Sequence, residues 1–153
     1  AIINQGDLVA DEDAAYLLKL RLEKPDTKKG YILDGYPRNL AQYRAFDFDA
    51  PTHVFVIDVP HEESLKRLGG RLTCDRCSKV GSVQSGLAAG DVDVCGGKWF
   101  QREDDTPEAI SKRLAIYEQD TAPVIEQYID RVKRIDGVGS IEEVFQRMID
   151  VLK

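Results

Sequence analysis

The sequence has 153 residues, of which 42% are hydrophobic and 31% charged, and its formal net charge is −6. This length and composition are typical of one globular domain with a hydrophobic core. The acidic balance, without a basic block, argues against nucleic-acid binding, and no apolar run approaches the ~20 residues that cross a bilayer. Three cysteines in a chain of this length favour a reducing compartment, so we expect a cytoplasmic protein.

Periodic patterns in the first half of the chain predict alternating helices and strands. Apolar residues recur at helical spacing after Asp11, which predicts an amphipathic helix over 12–23 with Asp11 as its N-cap. A short apolar run predicts a strand over 31–34, and a short helix is predicted over 39–46. Residues 54–59 are apolar at nearly every position, as in a strand buried on both faces of a parallel sheet.

A segment without helical periodicity interrupts the second half. A helix is predicted over 62–69, and residues 71–101 are then rich in Gly, Ser, Asp and Cys. We therefore predict that this segment, called the lid segment below, is an insertion with a small structure of its own. Three elements are predicted after it: a helix over 107–131 capped by Thr106, a strand over 132–136 and a helix over 141–152.

The alternation of strands and helices predicts an α/β fold, with a parallel sheet between two layers of helices. Three strand patterns are few for such a sheet, and its usual first strand is not among them. The sequence also begins with Ala1 rather than Met. We therefore expect that an N-terminal segment is missing from this sequence.

Residues 31–38 carry the first candidate site. The predicted strand ends at Asp34, Gly35 allows a turn, and Arg38 follows a proline. A carboxylate and a guanidinium at the end of a parallel strand lie where α/β sheets bind ligands, and they suit a Mg²⁺ ion and a phosphate. A strand followed by an ordinary surface turn explains these eight residues equally well.

Several arginines lie near the predicted element boundaries: Arg67, Arg71, Arg102 and Arg113. Taken singly, each is better explained as a solvated surface charge. If three of them converge with Arg38, however, their positive charges would crowd together without an evident partner. A polyphosphate would supply that partner, because phosphoryl transfer depends on positioning and on neutralising charge.

Ordered motifs connect these residues to a known family. They are Gly6–Glu12, Asp34–Asn39, Gly70–Cys74, Cys95–Gly97 and Gln101–Asp105. In order and spacing, the chain resembles bacterial adenylate kinases with a long zinc-type lid. The resemblance implies the P-loop nucleoside monophosphate kinase fold and the reversible reaction of Mg·ATP with AMP to give two ADP. It implies a core at 1–70 and 102–153, with a remnant of the AMP-binding segment at 1–24, and a lid at 71–101.

The resemblance also implies roles for individual residues. AMP would contact Asp7, Leu8, Val9, Gly35, Arg38, Gln42, Arg102 and Arg113. Within this set, Arg38 would hold the phosphate, and Gln42 would read the adenine edge. ATP would contact Arg67, Arg71 and Gly139. The residues implied for catalysis are Arg38, Arg71, Arg102, Arg113 and Asp34, the last by orienting water around Mg²⁺.

The cysteines suggest a metal site in the lid segment. Cys74 and Cys77 form a C-x₂-C pair, whose spacing lets two thiolates reach one tetrahedral ion. Cys95 matches the last position of the family's second pair, while the partner position is occupied by a valine. Asp93 or Asp91 lies near enough to supply a fourth ligand; we take Asp93. Such a set favours a structural Zn²⁺ ion, and the alternative is a metal-free lid with free thiols.

One departure from the family bears on activity. The 153 residues contain no segment of the form G-x-x-x-x-G-K-[ST], the phosphate loop of these kinases. We therefore expect that these 153 residues are not a competent kinase by themselves. Alternatives are a UMP or CMP kinase, a non-catalytic or partner-dependent truncated relative, and a zinc-ribbon binding module. ATP and AMP are the expected partners, without nucleic acid or membrane, and a monomer is the family expectation.

Overall fold

The computed structural model describes residues 10–153. The helices are α1 (Asp11–Leu22), α2 (Leu40–Ala45), α3 (His61–Gly69), α4 (Pro107–Ile116), α5 (Ala122–Glu126) and α6 (Ile141–Asp150). The strands are β1 (Val54–Asp58), β2 (Arg71–Cys74), β3 (Val80–Ser82), β4 (Trp99–Phe100) and β5 (Val132–Asp136). Strand β1 pairs with β5, and a second sheet has the antiparallel order β3-β2-β4. The predicted α/β fold with a parallel sheet and helices is confirmed. Within the described range, no helix combines the length and apolarity needed to span a membrane.

Two compact units divide the chain. The first comprises Ala1–Val56 and Ile116–Arg134, and the second comprises Ile57–Ala115 and Ile135–Lys153. The first therefore contains α1, α2 and α5, and the second contains α3, the three-stranded sheet, α6 and nearly all of α4. The predicted grouping into a core and a lid over 71–101 stays a prediction.

The start of α1 differs from the prediction. Ala10 occupies the N-cap position and makes no side-chain cap hydrogen bond. Asp11 is instead the first residue of the helix, followed by Glu12 and Asp13. Three carboxylates in the first turn interact favourably with the partial positive charge of the helix N-terminus. The carboxylate of Asp11 accepts hydrogen bonds from residues of α2 and its cap, so it is not available as a cap of α1.

The predicted strand over 31–34 is wrong. The segment has no strand assignment, and Ile32 is 95% exposed. Among residues 10–153, no strand pairs with it, so its backbone groups have no ladder hydrogen bonds. Strand β1 forms as predicted, but it is not buried on both faces, because Ile57 is 48% exposed while Val56 is buried.

The helix predicted over 107–131 begins as expected and is then interrupted. The hydroxyl of Thr106 accepts a hydrogen bond from the backbone N–H of Ala109 at 3.2 Å. A single π-helical turn, Tyr117–Thr121, separates α4 from α5, and a 3₁₀ turn follows at Ile129–Arg131. Pro123 explains the widened turn, since it has no N–H and its ring crowds the carbonyl one turn earlier.

The other predicted elements are confirmed to within one or two residues at most ends. They are the helices predicted over 39–46, 62–69 and 141–152 and the strand predicted over 132–136. Helix α6 begins with a capping box, in which Ser140 accepts a hydrogen bond from Glu143 N–H and the Glu143 carboxylate accepts one from Ser140 N–H. The pKa of Glu143 is lowered mainly by that backbone hydrogen bond.

The lid segment has a small hydrophobic cluster of its own. Side chains alternate between the two faces of a strand, so Leu72 and Cys74 lie on the same face of β2. Trp99 lies opposite Cys74 on β4. All three side chains are buried, and Leu87 and Cys95 pack against them. The cluster is small because the sheet has only three short strands, so each of its side chains matters for the stability of this segment.

We expect the substitution Leu72→Ala to lower the free energy of unfolding of the segment by about 2–4 kcal/mol, because it opens a cavity in this cluster. Leu72 is 2% exposed. The measurement is urea denaturation followed by the fluorescence of Trp99, the only tryptophan in the sequence. Val80→Ala is the control: Val80 lies on β3 and is 63% exposed, so its loss should cost less than about 1 kcal/mol. Equal effects would contradict the assignment of the cluster.

Candidate active site and metal centre

Three arginines of the second unit converge on two adjacent carboxylates. Arg71 is the first residue of β2, and Arg113 lies on α4. Arg102 lies between β4 and α4, in the same connection as Asp104 and Asp105. Each guanidinium has a nitrogen within 3.7 Å of one or both of these carboxylates. We call these five residues the arginine cluster.

Asp105 is the centre of the arginine cluster. Its side chain is 0% exposed. Arg71 donates two hydrogen bonds to it, from Nε to Oδ2 at 2.9 Å and from Nη2 to Oδ1 at 2.5 Å. Arg113 Nη1 donates to Oδ1 at 3.3 Å. The pKa of Arg71 is raised, chiefly because its guanidinium donates these hydrogen bonds. Asp105 therefore fixes the position of both arginines while compensating part of their charge.

Asp104 binds Arg102, the third arginine of the cluster, and this pair is more exposed to solvent than Asp105 is. Arg102 donates from Nε to Oδ1 at 2.9 Å and from Nη2 to Oδ2 at 2.8 Å, with both side chains about half exposed. Arg113 Nη1 lies 3.7 Å from Asp104 Oδ2. Desolvation acts to raise the pKa of Asp104, but the hydrogen bond and charge of Arg102, a backbone hydrogen bond and the charge of Arg113 together outweigh it, so that pKa is lowered. Arg113 thus bridges the two carboxylates.

The expectation that converging arginines would lack an evident partner is wrong for this cluster. Asp104 and Asp105 supply partners, and sequence reasoning gave neither a role. The signal was present, because both residues belong to the Gln101–Asp105 motif. With three arginines and two carboxylates, the cluster retains one net positive charge.

Arg38 lies in the first unit and is bound by its own turn. Its Nε donates to the carbonyl of Gly35 at 2.6 Å, and its carbonyl accepts from Thr121 Oγ1 at 2.8 Å. Gly35 has φ +69°, and a Cβ there would lie 2.7 Å from Arg38 Nη2. A glycine is therefore required for the arginine to fold over this turn. The side chain of Asp34 is exposed.

Gln42 is the centre of a polar network in the first unit. Its Oε1 accepts from the backbone N–H of Arg38 at 2.7 Å, and its Nε2 donates to Asp11 Oδ1 at 2.9 Å. Asn39 Nδ2 lies 3.3 Å from both oxygens of Asp11. The Oδ1 of Asn39 accepts from Gln42 N–H at 2.8 Å and caps α2. We call Asp11, Asn39 and Gln42 the amide network. Sequence reasoning did not identify Asp11 as part of it.

The residues predicted to contact ATP adenine lie within the second unit. Arg67 Nε donates to Glu63 Oε1 at 2.7 Å, and its Nη1 donates to the carbonyl of Gly137 at 3.0 Å. Gly139 lies two residues further along, with φ +122°. A Cβ at Gly139 would lie 2.6 Å from Glu143 Oε2. Arg67 is thereby held against the turn after β5. The predicted AMP contacts at Asp7, Leu8 and Val9 lie outside the described residues.

The four residues predicted to bind metal lie together in the lid segment. They form the metal cluster, Cys74, Cys77, Asp93 and Cys95, whose ligand atoms all lie within 4.8 Å of one another. The thiols of Cys74 and Cys95 are 3.4 Å apart, and Cys77 Sγ lies 3.6 Å from Asp93 Oδ2. Asp91, the alternative fourth ligand, instead accepts a hydrogen bond from Ala88 N–H at 2.8 Å.

The donor set of this cluster fits a tetrahedral metal ion. With Zn–S distances of about 2.3 Å, neighbouring ligand atoms are about 3.8 Å apart, similar to the separations within the metal cluster. The pKa of Cys74 is lowered, mainly because the backbone N–H of Cys77 donates to its sulfur. A backbone hydrogen bond from Gly97 acts to lower the pKa of Cys95, but desolvation and the neighbouring ligand groups outweigh it and raise that pKa to about 12. The case for a metal ion therefore rests on the donor types and their separations. The cluster could therefore hold a metal ion.

Comparisons with known proteins agree on one family. The family model described as adenylate kinase matches residues 1–133. The adenylate kinase of Thermodesulfovibrio yellowstonii is 39% identical over 163 residues, which cover 100% of this chain and 76% of the relative. That of Syntrophobacter fumaroxidans is 41% identical over 160 residues, covering 98% and 75%. That of Methanosarcina barkeri is 38% identical over 160 residues, covering 99% and 74%.

We expect Asp105→Asn to lower the free energy of unfolding by about 3 kcal/mol. The substitution removes the buried negative charge that compensates Arg71 and Arg113, and both guanidinium groups then lose their charged partner at this position. Chemical denaturation at neutral pH measures this loss. Asp104→Asn is the matched control, and since Asp104 is about half exposed we expect a loss below about 1 kcal/mol. Similar values for the two variants would show that Asp105 is not the centre of the arginine cluster.

Proposed function

The chain belongs to the adenylate kinase family of phosphotransferases, and on this basis we propose that it transfers a phosphoryl group reversibly between Mg·ATP and AMP, giving two ADP. The observation that carries the proposal is the arginine cluster. Phosphoryl transfer needs positive charge held in place where the transferring group carries its negative charge. The cluster supplies such charge, already oriented by Asp104 and Asp105.

The donors left in the cluster support this role. A guanidinium has five N–H groups, and Arg71 uses Nε and Nη2 on Asp105. Arg102 likewise uses one edge on Asp104, and the hydrogen bond from Arg113 to Asp105 uses Nη1. Other N–H groups of each arginine are available for phosphate oxygens. In the proposal, Arg71, Arg102 and Arg113 bind the transferring phosphate and disperse its charge without reorganising.

The first unit is proposed to bind AMP. Arg38 uses its Nε on Gly35 and keeps its terminal nitrogens for the phosphate of AMP. Gln42 reads the adenine edge, since a side-chain amide can pair with adenine through a donor and an acceptor. In the second unit, Arg67 presents the face of its guanidinium to the adenine of ATP, and Gly139 contacts the same base through its backbone. Asp34 orients water around the Mg²⁺ ion that accompanies ATP.

We also propose that the metal cluster binds Zn²⁺. Three thiolates and one carboxylate form a donor set that favours zinc over harder cations. Bound there, the ion would cross-link β2 and the loop before β4, and so stabilise a segment whose hydrophobic cluster is small. The role is structural, and it fits a lid over 71–101 that closes over the phosphates.

The direct test of the reaction is ADP formation from ATP, AMP and Mg²⁺ by the purified chain, with calorimetric binding of AMP as a second measurement. If the chain forms ADP, Arg38→Ala and Arg102→Ala should each reduce that activity by at least about 100-fold. Arg21→Ala is the control, because Arg21 is exposed on α1 and pairs with Asp26. The expectation that the 153 residues alone are inactive stays a prediction, as do a cytoplasmic location and a monomeric state.

Binding separates the outcomes of that test. AMP binding that Arg38→Ala abolishes would support the proposed site whether or not ADP forms. A chain that binds neither AMP nor ATP would contradict the proposal. Activity that both arginine substitutions leave unchanged would contradict the residue roles.

For zinc, we expect one ion per chain by elemental analysis of protein purified without chelator. Asp93→Ala should weaken zinc binding at least about tenfold, because it removes one of four ligands. Asp91→Ala, in the same loop but outside the metal cluster, should leave the affinity unchanged. Protein without bound zinc, or equal losses in the two variants, would contradict the proposed site.

A further inference from the structure

Asp11 is a charged residue that the proposed reaction does not use. It begins α1, yet both of its oxygens are directed to α2 and its cap, 28 to 31 positions further along the chain. We propose that Asp11 is a positioning residue that fixes the orientation of the Gln42 amide, and that it thereby sets selection for a 6-amino purine over a 6-oxo purine. This inference rests on the proposed role of Gln42 in binding AMP.

The contacts of Gln42 allow only one orientation of its amide. Its Oε1 accepts from the N–H of Arg38, and its Nε2 donates to the carboxylate of Asp11. A rotation of the amide by 180° would place its NH₂ against the Arg38 N–H and its oxygen against the Asp11 carboxylate. Both contacts would be repulsive, because one would place two N–H donors against each other and the other would place two oxygen acceptors against each other. The two neighbours together therefore lock the amide.

The locked amide retains one donor and one acceptor for a base. Nε2 has a second N–H, and Oε1 has a second lone pair. Adenine presents an amino donor at C6 beside a ring-nitrogen acceptor, which matches this pair. A 6-oxo purine presents a carbonyl acceptor at C6 and an N–H donor at N1, which is the reverse order. An amide fixed in this orientation can form both hydrogen bonds with adenine, but it places donor against donor and acceptor against acceptor with a 6-oxo purine. A freely rotating amide could pair with either base.

Asn39 strengthens the same arrangement. Its Nδ2 lies 3.3 Å from each oxygen of Asp11, and its Oδ1 caps α2 on the N–H of Gln42. Asp11 thus holds both the side chain of Gln42 and the residue that caps its helix. The network also accounts for the position of Asp11 one residue inside α1, where its carboxylate reaches α2 instead of capping its own helix.

The test compares the affinities of AMP and inosine monophosphate, two nucleotides of the same shape that differ at C6 and N1. Calorimetry with the whole chain needs neither ATP nor turnover. We expect Asp11→Ala to reduce the preference for AMP roughly tenfold, by weakening AMP binding and relaxing rejection of the 6-oxo base. Asp11→Asn should retain part of the preference, since its amide oxygen can still accept from Gln42. Asp13→Ala is the matched control in the same helical turn and should change nothing.

Gln42→Ala separates failure of this inference from failure of the proposed function. We expect it to abolish the preference, and Asp11→Ala to have no further effect in its presence. A preference that Gln42→Ala abolishes but Asp11→Ala and Asp11→Asn leave intact would overturn the role of Asp11 alone. A preference that survives Gln42→Ala would overturn the proposed role of Gln42, and the role of Asp11 with it. Circular dichroism of each variant shows whether α1 is retained.

Discussion

A buried carboxylate makes the arginine cluster possible. Guanidinium groups repel one another, and the repulsion grows as they leave water. Asp105, with its side chain fully buried, accepts hydrogen bonds from two of them and fixes their geometry before any ligand arrives. Its backbone carbonyl accepts a hydrogen bond from Gln101, whose side chain also donates to Gly69 at the end of α3. Asp105 thus connects β2 and α4 through their arginines, and the C-terminal end of α3 through Gln101.

The two polar networks use the same principle on different chemistry. In the arginine cluster, carboxylates orient cations that are proposed to meet phosphate. In the amide network, the carboxylate of Asp11 orients a neutral amide that is proposed to meet a base. In both networks, an acidic residue that is not proposed to contact the nucleotide holds a side chain that is proposed to contact it. Preorganisation of this kind avoids an entropic cost when the ligand binds.

Most features that the sequence predicted correctly are set by local spacing, whereas the grouping of Asp93 and Cys95 with the two other cysteines depended on the family resemblance. The periodicity of α3 and α6, the start of α4 and the proximity of Cys74 to Cys77 depend on residues a few positions apart. The errors concern interactions between distant segments. Residues 31–34 have the composition of a strand, but a strand also needs a neighbour, and composition does not supply one. The partners of Asp11 and Asp105 lie up to 31 and 34 positions away, so spacing could not reveal them.

The shortness of β2 has one more consequence. Arg71 begins this strand and Cys74 ends it, so a span of about 10 Å of extended backbone joins the arginine cluster to the metal cluster. Leu72 lies between them and is buried in the hydrophobic cluster, so the strand has little freedom to change its conformation when one of its ends moves. A change in the position of Cys74 would therefore also change the position of Arg71, three residues away on the same strand. The geometry of the thiols and the geometry of the arginine cluster therefore depend on each other through one four-residue strand.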